Sequence, residues 1–496
     1  MDVPRIFVGD PADPAENNCA CPSPVPAAVS SIPLDTDGFW RLAPDLYRAQ
    51  LPNDYEVACA TLTGSHVLAL NRPARAILDS FATPQPLRPA MPVAGIAPEQ
   101  AWQVARRLAQ HQLLAPTDAP LAPPPPRDSD TLTAWIHVTN ACNLRCHYCY
   151  VAKNDEAMDE TTGRQAIDAV VRSATQDGYR AIKLKYAGGE ASLNFQLVRS
   201  LHEYAAERAQ DTGLMLREAV LSNGVALTRA MLAFLHNTGM RLMISLDGIG
   251  AAHDSQRVFA NGRGSFTQVA RSIERALAAG VAPDLSITVT GNNAGQLKET
   301  VEFALERGLR FNLNFYRDNT CSPSDANLAA DDEHVIAGVR AAFAAIAKNI
   351  PRHRLIDGLV DRSTFNSRHT RACGAGHDYL VVDHRGQIAR CQMELERPVT
   401  TIAAPNPLHI IRLESVSFRN LSVDQKQGCR DCQWRYWCGG GCSFLTHRTT
   451  GQHDVRSPYC QVYQALYPDA LYLEGLRLVT WAPREGAARE VVERWV

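Results

Sequence analysis

The chain has 496 residues, of which 45% are hydrophobic and 21% are charged, and its formal net charge is −2. This composition is typical of a folded enzyme of several domains, and the near-neutral charge gives no sign of nucleic acid or an anionic membrane as an obligatory partner. The first residues lack the basic and apolar regions of a secretory signal, and no run of the sequence is apolar enough to span a bilayer. We therefore expect a cytoplasmic location.

The N-terminal quarter contains a tail, a small module and a spacer. Residues 1–35 are rich in Pro, Ala, Ser and Asp, and they are predicted to be a disordered tail. Residues 36–115 predict a small α+β module, because an apolar strand is followed by two amphipathic helices, at 66–70, 71–81 and 97–114. Prolines in residues 116–130 predict a semi-rigid linker, which is the clearest domain boundary in the chain.

From residue 131 strands and helices alternate, which predicts a parallel sheet with helices packed outside it. The predicted strands are 131–139, 181–190, 217–224, 240–248, 283–293 and 309–317. Six units are too few for an eight-fold barrel, so the predicted fold class is α/β, with a partial (β/α)6 barrel over residues 131–350. Residues 351–465 then predict a cysteine-rich domain of short strands and turns, and residues 466–496 a helical tail.

The fourteen cysteines are an unusual feature of this composition. In a long chain without a signal, they favour metal ligands or redox groups over disulfides. Cys19, Cys21, Cys59 and Cys321 are scattered, and the pair at 19 and 21 has no further candidate ligand nearby. The other ten form three compact sets: Cys142, Cys146 and Cys149; Cys373 and Cys391; and Cys429, Cys432, Cys438, Cys442 and Cys460.

The first set directly follows the first barrel strand and reads Cys142-x3-Cys146-x2-Cys149. The C-terminal ends of such strands share one mouth, where active sites form. Three thiolates wrap a small iron–sulfur cluster and leave one iron open to another ligand. The alternative is a zinc site completed by a residue such as His147, although zinc ribbons use paired CxxC knuckles instead.

This motif resembles that of the radical S-adenosylmethionine (SAM) enzymes, with Tyr148 as the aromatic residue before the third cysteine. The resemblance implies a [4Fe–4S] cluster whose open iron chelates SAM, and reductive cleavage of SAM to a 5′-deoxyadenosyl radical. The cofactor then supplies the chemistry while the protein positions it. An electron donor such as flavodoxin or ferredoxin is implied as a partner.

Polar motifs at the later strand ends strengthen this resemblance. "GGEA" at 188–191 is similar to the family's Gly-Gly-Glu-Pro motif, with Ala191 in the proline position, while "LSNG" and "SLDG" match the third- and fourth-strand motifs. Thr290 and Asn293 end the fifth strand. The SAM contacts that the resemblance implies are Tyr148, Gly188, Gly189, Glu190, Ser222, Asn223, Ser245, Asp247 and Arg257.

The cysteines at 373–460 resemble the seven-cysteine SPASM extension of radical SAM enzymes. The resemblance implies two auxiliary clusters, each expected to be [4Fe–4S]. Auxiliary cluster I would be held by three cysteines: Cys373, Cys391 and Cys442. Auxiliary cluster II would be held by four cysteines: Cys429, Cys432, Cys438 and Cys460. Some relatives close cluster I with an eighth cysteine, where this chain has Tyr379. The fourth ligand stays open between a side chain such as His377, water and substrate, and one or two zinc sites are the alternative to clusters.

Residues 36–115 resemble the PqqD-like winged-helix element of ribosomal peptide (RiPP) maturation, on the apolar strand, Asn71 and the Ala/Ile/Leu stripe that follows it. Such elements bind a leader peptide as an added edge strand. A purely structural winged helix is the alternative.

The combined hypothesis is an oxidoreductase that abstracts hydrogen from a precursor peptide with a leader and forms an oxidative C–C or C–S cross-link. No catalytic side chain is assigned. One alternative is a peptide epimerase with Cys321 as hydrogen donor, although a core cysteine is the plainer interpretation of that residue. Another is an anaerobic sulfatase-type maturase. Those relatives have an aspartate base at the position of Gln392, and this difference counts against that alternative. A non-catalytic iron–sulfur scaffold is the third.

Overall fold

The structure is a computed structural model, which describes residues 3–9, 38–64, 66–88, 93, 95–118, 129–321, 328–365 and 368–482. Cys19 and Cys21, most of the predicted tail and linker, and residues 483–496 lie outside the described residues. The expectation of disorder is wrong for the start of the chain, because Ile6–Val8 forms a strand. The Asn71 side chain forms two hydrogen bonds with this segment. Its Oδ1 accepts from Arg5 N and its Nδ2 donates to Val3 O, each at 2.9 Å.

Two antiparallel sheets and two helices make up the N-terminal module. The first sheet has the order β1 (Ile6–Val8), β5 (Leu68–Leu70), β4 (Glu56–Ala60), β3 (Leu46–Gln50), and the second has the order β6 (Gln85–Pro86), β2 (Phe39–Leu42), β7 (Leu114–Pro116). The helices are α1 (Arg72–Ser80), capped by Asn71, and α2 (Pro98–Gln110), which begins at a proline. These elements enclose a small apolar core of their own.

The barrel contains six adjacent parallel strands, in the order β8 (Thr131–Thr139), β9 (Ala181–Gly188), β10 (Met215–Ser222), β11 (Arg241–Ser245), β12 (Asp284–Val289), β13 (Phe311–Phe315). Its helices are α3 (Glu160–Gln176), α4 (Phe195–Thr212), α5 (Arg229–Thr238), α6 (Ala251–Asp254), α7 (Phe266–Ala278), α8 (Leu297–Glu306), α9 (Asp332–Lys348) and α10 (Ile356–Leu359). The predicted α/β class and partial barrel are confirmed.

The cysteine-rich region continues the barrel sheet, which the sequence did not predict. Strand β14 (Tyr379–Val382) pairs in parallel with β8, and β15 (Gln387–Ala389) and β16 (Thr400–Thr401) follow antiparallel. Its helices are α11 (Pro407–Leu413), α12 (Arg435–Cys438), α13 (Ser443–Thr450) and α14 (Cys460–Thr480). Short 3-10 helices lie at Ala191–Asn194, Ala294–Gln296, Gln392–Glu394 and Val423–Gln425. The boundary expected at residue 465 falls inside α14.

Side chains alternate along the barrel strands and divide the sheet into two faces. On β8, Leu132, Ala134, Ile136 and Val138 pack into the main apolar core with the surrounding helices. The alternate, inward positions of these strands are largely polar and mostly buried: Thr133, His137, Lys183, Lys185, Arg241, Asn312 and Asn314. The fold therefore covers one face with helices and leaves a polar interior beneath the mouth.

Helix α14 of the cysteine-rich region packs against the N-terminal module. It contacts β1, β4 and β5 of the N-terminal module, and a Cβ at Gly475 would come within 2.8 Å of the Val57 side chain. Val57 and Cys59 accordingly belong to the main core, whereas Ala58 between them faces the module's own core. No helix in the described ranges is long and apolar enough to cross a bilayer.

Candidate functional site

The loop after β8 holds Cys142, Cys146 and Cys149 in a half-buried position. The backbone N–H of Cys149 donates to the Cys146 carbonyl at 3.2 Å, which folds the two residues into one turn. Two donors point at the Cys142 sulfur: Leu144 N at 3.4 Å and Asn223 Nδ2 at 3.7 Å. Donors of this kind stabilise a thiolate, so the loop is shaped to present negatively charged sulfur.

The electrostatics of the three thiols indicate that they lie near one another. Burial raises the pKa of the Cys146 thiol to about 11, Arg257 lowers it, and the thiols of Cys149 and Cys142 raise it because they lie within electrostatic reach. A bound cluster would deprotonate all three. No three Cys, His, Asp or Glu side chains of the described residues converge as ligands of a single metal ion. The fit to a cluster therefore rests on three neighbouring thiols with cationic and N–H donors around them.

Glu190 connects the ends of β9 and β10. Its carboxylate accepts from Ser222 Oγ at 2.8 Å, from Asn223 N at 2.6 Å and from Ser192 N at 3.0 Å, and the residue is only 2% exposed. Asn223 in turn donates to Asn143 Oδ1 at 2.7 Å, in the cysteine loop. The structure thus brings Glu190, Ser222 and Asn223 together, and protein donors bind the Glu190 carboxylate.

Gly188 and Gly189 let β9 approach the start of the cysteine loop. A Cβ at Gly188, where φ is +152°, would lie 2.3 Å from the Thr139 carbonyl oxygen. A Cβ at Gly189 would lie 2.4 Å from the carbonyl oxygens of Asn140 and Ala141. The two glycines therefore serve a backbone-to-backbone contact, rather than only the approach to SAM that the motif suggested.

Tyr148, Asp247 and Arg257 form one buried network beside the cysteines. The Tyr148 hydroxyl donates to Asp247 Oδ2, and Arg257 Nη1 donates to the same hydroxyl and lies 3.5 Å from Asp247 Oδ2. Thr288 N donates to Asp247 Oδ1 at 2.8 Å. The carboxylate partner of Arg257 in the chain is therefore Asp247. Arg257 Nε is buried and has no hydrogen-bond partner among the described residues, so this guanidinium retains one unused donor.

The remaining predicted mouth residues fix the ends of the strands. Asn293 Nδ2 donates to the Asp247 carbonyl at 2.6 Å, and Thr290 Oγ1 donates to Gln256 Oε1 at 2.6 Å. His253, which the sequence analysis did not single out, accepts from Asp247 N at 3.3 Å and lies 3.0 Å from Ser265 Oγ. Ser245 is half-buried at the end of β11.

The four cysteines assigned to auxiliary cluster II line one cavity of about 290 Å³. Three aromatic residues, Trp434, Tyr463 and Tyr467, also line this cavity. Trp434 and Trp437 pack with ring centroids 6.0 Å apart, as expected for aromatic residues around a cluster. Four thiols around one cavity fit a fully ligated iron–sulfur cluster.

The three cysteines assigned to auxiliary cluster I are buried in a second apolar cluster, together with Trp135 and Ala187 from the barrel interior. Burial opposes ionisation of Cys442, but Arg317 and Arg362 outweigh it and lower the pKa of that thiol. The donor set thus fits a cluster that faces the inside of the barrel. His377 Nε2 lies 3.1 Å from the Asn420 carbonyl, and its role as fourth ligand stays a prediction.

Cys321 lies in a loop near the mouth, not in the core. Its sulfur contacts Glu396 Oε1 at 3.5 Å, and burial raises the pKa of the thiol, with Glu396 and the nearby Cys149 adding to the rise. Asn319 holds this loop against the cysteine loop, since its Nδ2 donates to the Tyr148 carbonyl at 3.1 Å. Cys59, by contrast, is fully buried in β4.

Comparison with known proteins identifies one domain of the chain. Residues 136–304 match the family model described as the radical SAM superfamily, so the chain contains a radical SAM domain. Over the aligned part it is similar to an uncharacterised protein of Methanocaldococcus jannaschii, MJ0907: 27% identity over 176 residues, 35% of this chain and 59% of that protein.

Two curated relatives have described roles. The sporulation killing factor maturation protein SkfB of Bacillus subtilis is 25% identical over 303 residues, which is 57% of this chain and 67% of that protein. The cysteine-type anaerobic sulfatase-maturating enzyme of Clostridium perfringens is 20% identical over 365 residues, 66% of this chain and 93% of that enzyme. The solved structure of anSMEcpe with bound AdoMet shares the fold, with a TM-score of 0.57, 17% identity, and coverage of 71% of this chain and 98% of that chain.

Proposed function

We propose that this protein is a radical SAM peptide maturase that forms an oxidative C–C or C–S cross-link in a precursor peptide. The observation that carries the proposal is the position of Cys373, Cys391 and Cys442. They share one apolar cluster with Trp135 and Ala187 of the barrel interior. An electron acceptor at these cysteines would lie beside a substrate in the barrel, which is where an oxidation needs it.

The cysteine loop would hold a [4Fe–4S] cluster, and the mouth residues would hold SAM. When bound, SAM and the reduced cluster supply a 5′-deoxyadenosyl radical that removes a carbon-bound hydrogen, and the oxidised auxiliary clusters supply an acceptor for the second electron. The unused Arg257 Nε donor would be available to an anionic group of SAM, and the Glu190 network fixes the ends of β9 and β10 against the loop. The second hydrogen lost by the peptide leaves as a proton, so the product is lighter by two hydrogens.

The N-terminal module supplies a candidate docking edge for the leader. Strand β3 is an edge of its sheet, and no other strand of the described residues pairs with its outer side. Charged side chains border the strand: Arg48 binds Asp79 of α1 at 2.6 Å, and Arg75 of α1 reaches Gln50 at 3.2 Å. An extended peptide added to β3 would gain main-chain hydrogen bonds there and side-chain contacts to α1.

The similarity to SkfB, a maturation protein, supports the general activity. The similarity to the sulfatase-maturating enzyme supports a related oxidation of a protein side chain as the second candidate. That reaction is expected to need a proton acceptor beside the second cysteine of the SPASM motif. Gln392 stands there, and an amide does not act as a base. We therefore place the cross-linking reaction first.

Two measurements test the proposal. The reconstituted enzyme, incubated with SAM and dithionite, is expected to release 5′-deoxyadenosine; absence of this product from a fully loaded enzyme would contradict the catalytic assignment. Co-expression with a short precursor peptide encoded beside the gene is expected to lower the mass of that peptide by two hydrogens. An unchanged mass with an inverted residue would show an epimerase, and oxidation of a Ser or Cys to an aldehyde would show the second candidate.

A further inference from the structure

Lys426 is a fully buried cation in the cysteine-rich domain. It follows the 3-10 helix Val423–Gln425, and its Nζ donates to the Gly440 carbonyl and to Ser443 Oγ, each at 3.3 Å. Both acceptors are neutral, and no carboxylate of the described residues forms an ion pair with this ammonium. A charge in such a position needs compensation from another source, because burying an isolated ammonium is costly.

The surroundings of Lys426 identify that source. Gly440 lies between Cys438 and Cys442, Ser443 directly follows Cys442, and the Lys426 carbonyl accepts from Cys429 N at 3.2 Å. Burial lowers the pKa of Lys426, and four thiols raise it: Cys429, Cys438, Cys373 and Cys442. Two of these belong to the auxiliary cluster II set and two to the auxiliary cluster I set. The geometry agrees, because the two acceptors of the ammonium, on Gly440 and Ser443, flank Cys442 of the cluster I set, while the Lys426 carbonyl binds Cys429 N of the cluster II set, so the lysine lies beside both sets.

The glycines between Cys438 and Cys442 leave the space that this ammonium occupies. Gly440 has φ +79°, and a Cβ there would lie 2.8 Å from Lys426 Nζ. Gly439 has φ +59°, and a Cβ there would lie 2.4 Å from Ala372 N, next to Cys373. Only glycine allows both the left-handed turn and the close approach. The turn thus brings the two cysteine sets together around the lysine.

Hydrogen bonds continue from Lys426 to the backbone around Cys373. Ser443 Oγ, which accepts from Lys426, donates to Asn420 Oδ1 at 2.8 Å. Asn420 Nδ2 donates to the carbonyls of Cys373 and Ala375 at 2.8 and 3.0 Å, and it lies 3.9 Å from the Cys373 sulfur. The chain of donors thus leads from the ammonium to the immediate surroundings of one cluster I thiol, where hydrogen bonds tune a bound cluster.

We propose that Lys426 is a positioning residue that acts as the shared counter-ion of the two auxiliary clusters and raises the reduction potential of both. Thiolate-ligated clusters gain negative charge on reduction, and their potentials depend on nearby charge and hydrogen bonds to sulfur. A buried positive charge interacts strongly with both, because it is poorly screened. The inference rests on the proposed binding of two auxiliary clusters, and it explains how two anionic groups tolerate close approach.

The test is a redox titration followed by EPR spectroscopy on anaerobically reconstituted protein, with iron content measured on the same samples. Lys426→Gln removes the charge and keeps a hydrogen-bonding side chain, whereas Lys426→Arg keeps the charge. We expect Lys426→Gln to lower the equilibrium constant for reduction of each auxiliary cluster by about tenfold or more. For a one-electron couple, each tenfold corresponds to a decrease of about 59 mV in the reduction potential. Lys426→Arg and the exposed control Lys298→Gln are expected to match the wild type, and the cluster at Cys142 serves as an internal reference.

Each outcome either supports or overturns the proposed role of Lys426. A fully loaded Lys426→Gln protein with unchanged auxiliary potentials would overturn the proposal. If Lys426→Gln does not load the auxiliary clusters, loading of Lys426→Arg with wild-type potentials supports the role of charge, and failure of both variants shows a role of shape alone, which overturns it. Wild-type protein with about four iron atoms, instead of about twelve, would show that the proposed auxiliary clusters themselves are absent.

Discussion

The Tyr379 hydroxyl donates a hydrogen bond to Gln392 Oε1 at 3.0 Å, between two side chains that are almost completely buried. These residues stand at the two positions where the resemblance leads one to expect a further cysteine and an aspartate base. The Cys391 sulfur also lies 3.6 Å from the same Gln392 oxygen. Tyr379 and Gln392, the two residues that differ from the family pattern, therefore form one hydrogen-bonded unit beside Cys391, a proposed ligand of auxiliary cluster I.

Tyr379→Phe is expected to lower the free energy of unfolding of the cluster-free protein by about 1 kcal/mol, because it removes this hydrogen bond in the interior. Chemical denaturation followed by circular dichroism measures the change. Tyr472→Phe, at a half-buried position of α14, is the matched control and is expected to change stability less. Equal effects of the two substitutions would show that the Tyr379 hydrogen bond contributes nothing specific.

Cys142→Ala is expected to abolish 5′-deoxyadenosine formation and to lower the iron content by about four atoms per chain. Cys146→Ala and Cys149→Ala are expected to behave alike, since the three thiols lie near one another in one loop. Liquid chromatography after incubation with SAM and dithionite gives the answer. Cys59→Ala, which removes a thiol from β4, should retain both iron and activity.

Cys442→Ala is expected to retain SAM cleavage but to lose the modified peptide, because Cys442 belongs to the cluster beside the barrel interior and not to the loop that would bind SAM. Parallel measurement of 5′-deoxyadenosine and of peptide mass separates the two activities. Full product from this variant would contradict the role that we assign to auxiliary cluster I.

Cys321→Ser distinguishes cross-linking from epimerisation. For a cross-linking enzyme, the variant is expected to give the same loss of two hydrogens, since no thiol hydrogen enters the product. For an epimerase, Cys321 is placed near the mouth as a hydrogen donor, and its replacement would stop product formation. Peptide made in deuterated water supplies a second readout, because only an epimer would gain a carbon-bound deuterium.

His253 predicts an acid-sensitive stability. Burial, with Arg257 adding to it, lowers the pKa of His253 to about 3 in the folded protein, whereas an unfolded histidine titrates near 6.5. The unfolded state therefore binds a proton first, so this contribution is complete above pH about 6.5 and decreases as the pH falls toward 3. Thermal unfolding of the cluster-free protein between pH 7 and pH 5 should show a smaller decrease in His253→Gln than in the exposed control His409→Gln.

The barrel could be predicted from the sequence because each of its strands is followed by a helix close along the chain. The expected strand at 131–139 is observed as Thr131–Thr139, and the strand at 181–190 ends at Gly188. Strands β1 and β14 escaped prediction for a shared reason. Each is short and is fixed by a partner far away in sequence, Leu68–Leu70 for β1 and β8 for β14. Local periodicity contains no information on such pairing.

The sequence predicted where the candidate site residues lie in the fold, but not which groups they contact. Motif spacing placed Glu190, Asn223 and Asp247 at one mouth, where the structure also has them. A polar residue at a strand end points either to a ligand or to a neighbouring strand, and the sequence does not distinguish these. The structure shows bonds from Asn223 to Glu190 and from Tyr148 to Asp247. Lys426 was missed because one lysine before a cysteine has no distinctive pattern.

The contact of α14 with β4 sets an order of events during synthesis. Val57 is translated long before Gly475, which lies on the helix surface that covers it. The N-terminal module must therefore keep an apolar face uncovered while the whole barrel is translated. Since α14 begins at Cys460, the binding of the proposed auxiliary cluster II and the closure of that face would involve the same helix. The N-terminal module reaches its final position only after α14 has been translated.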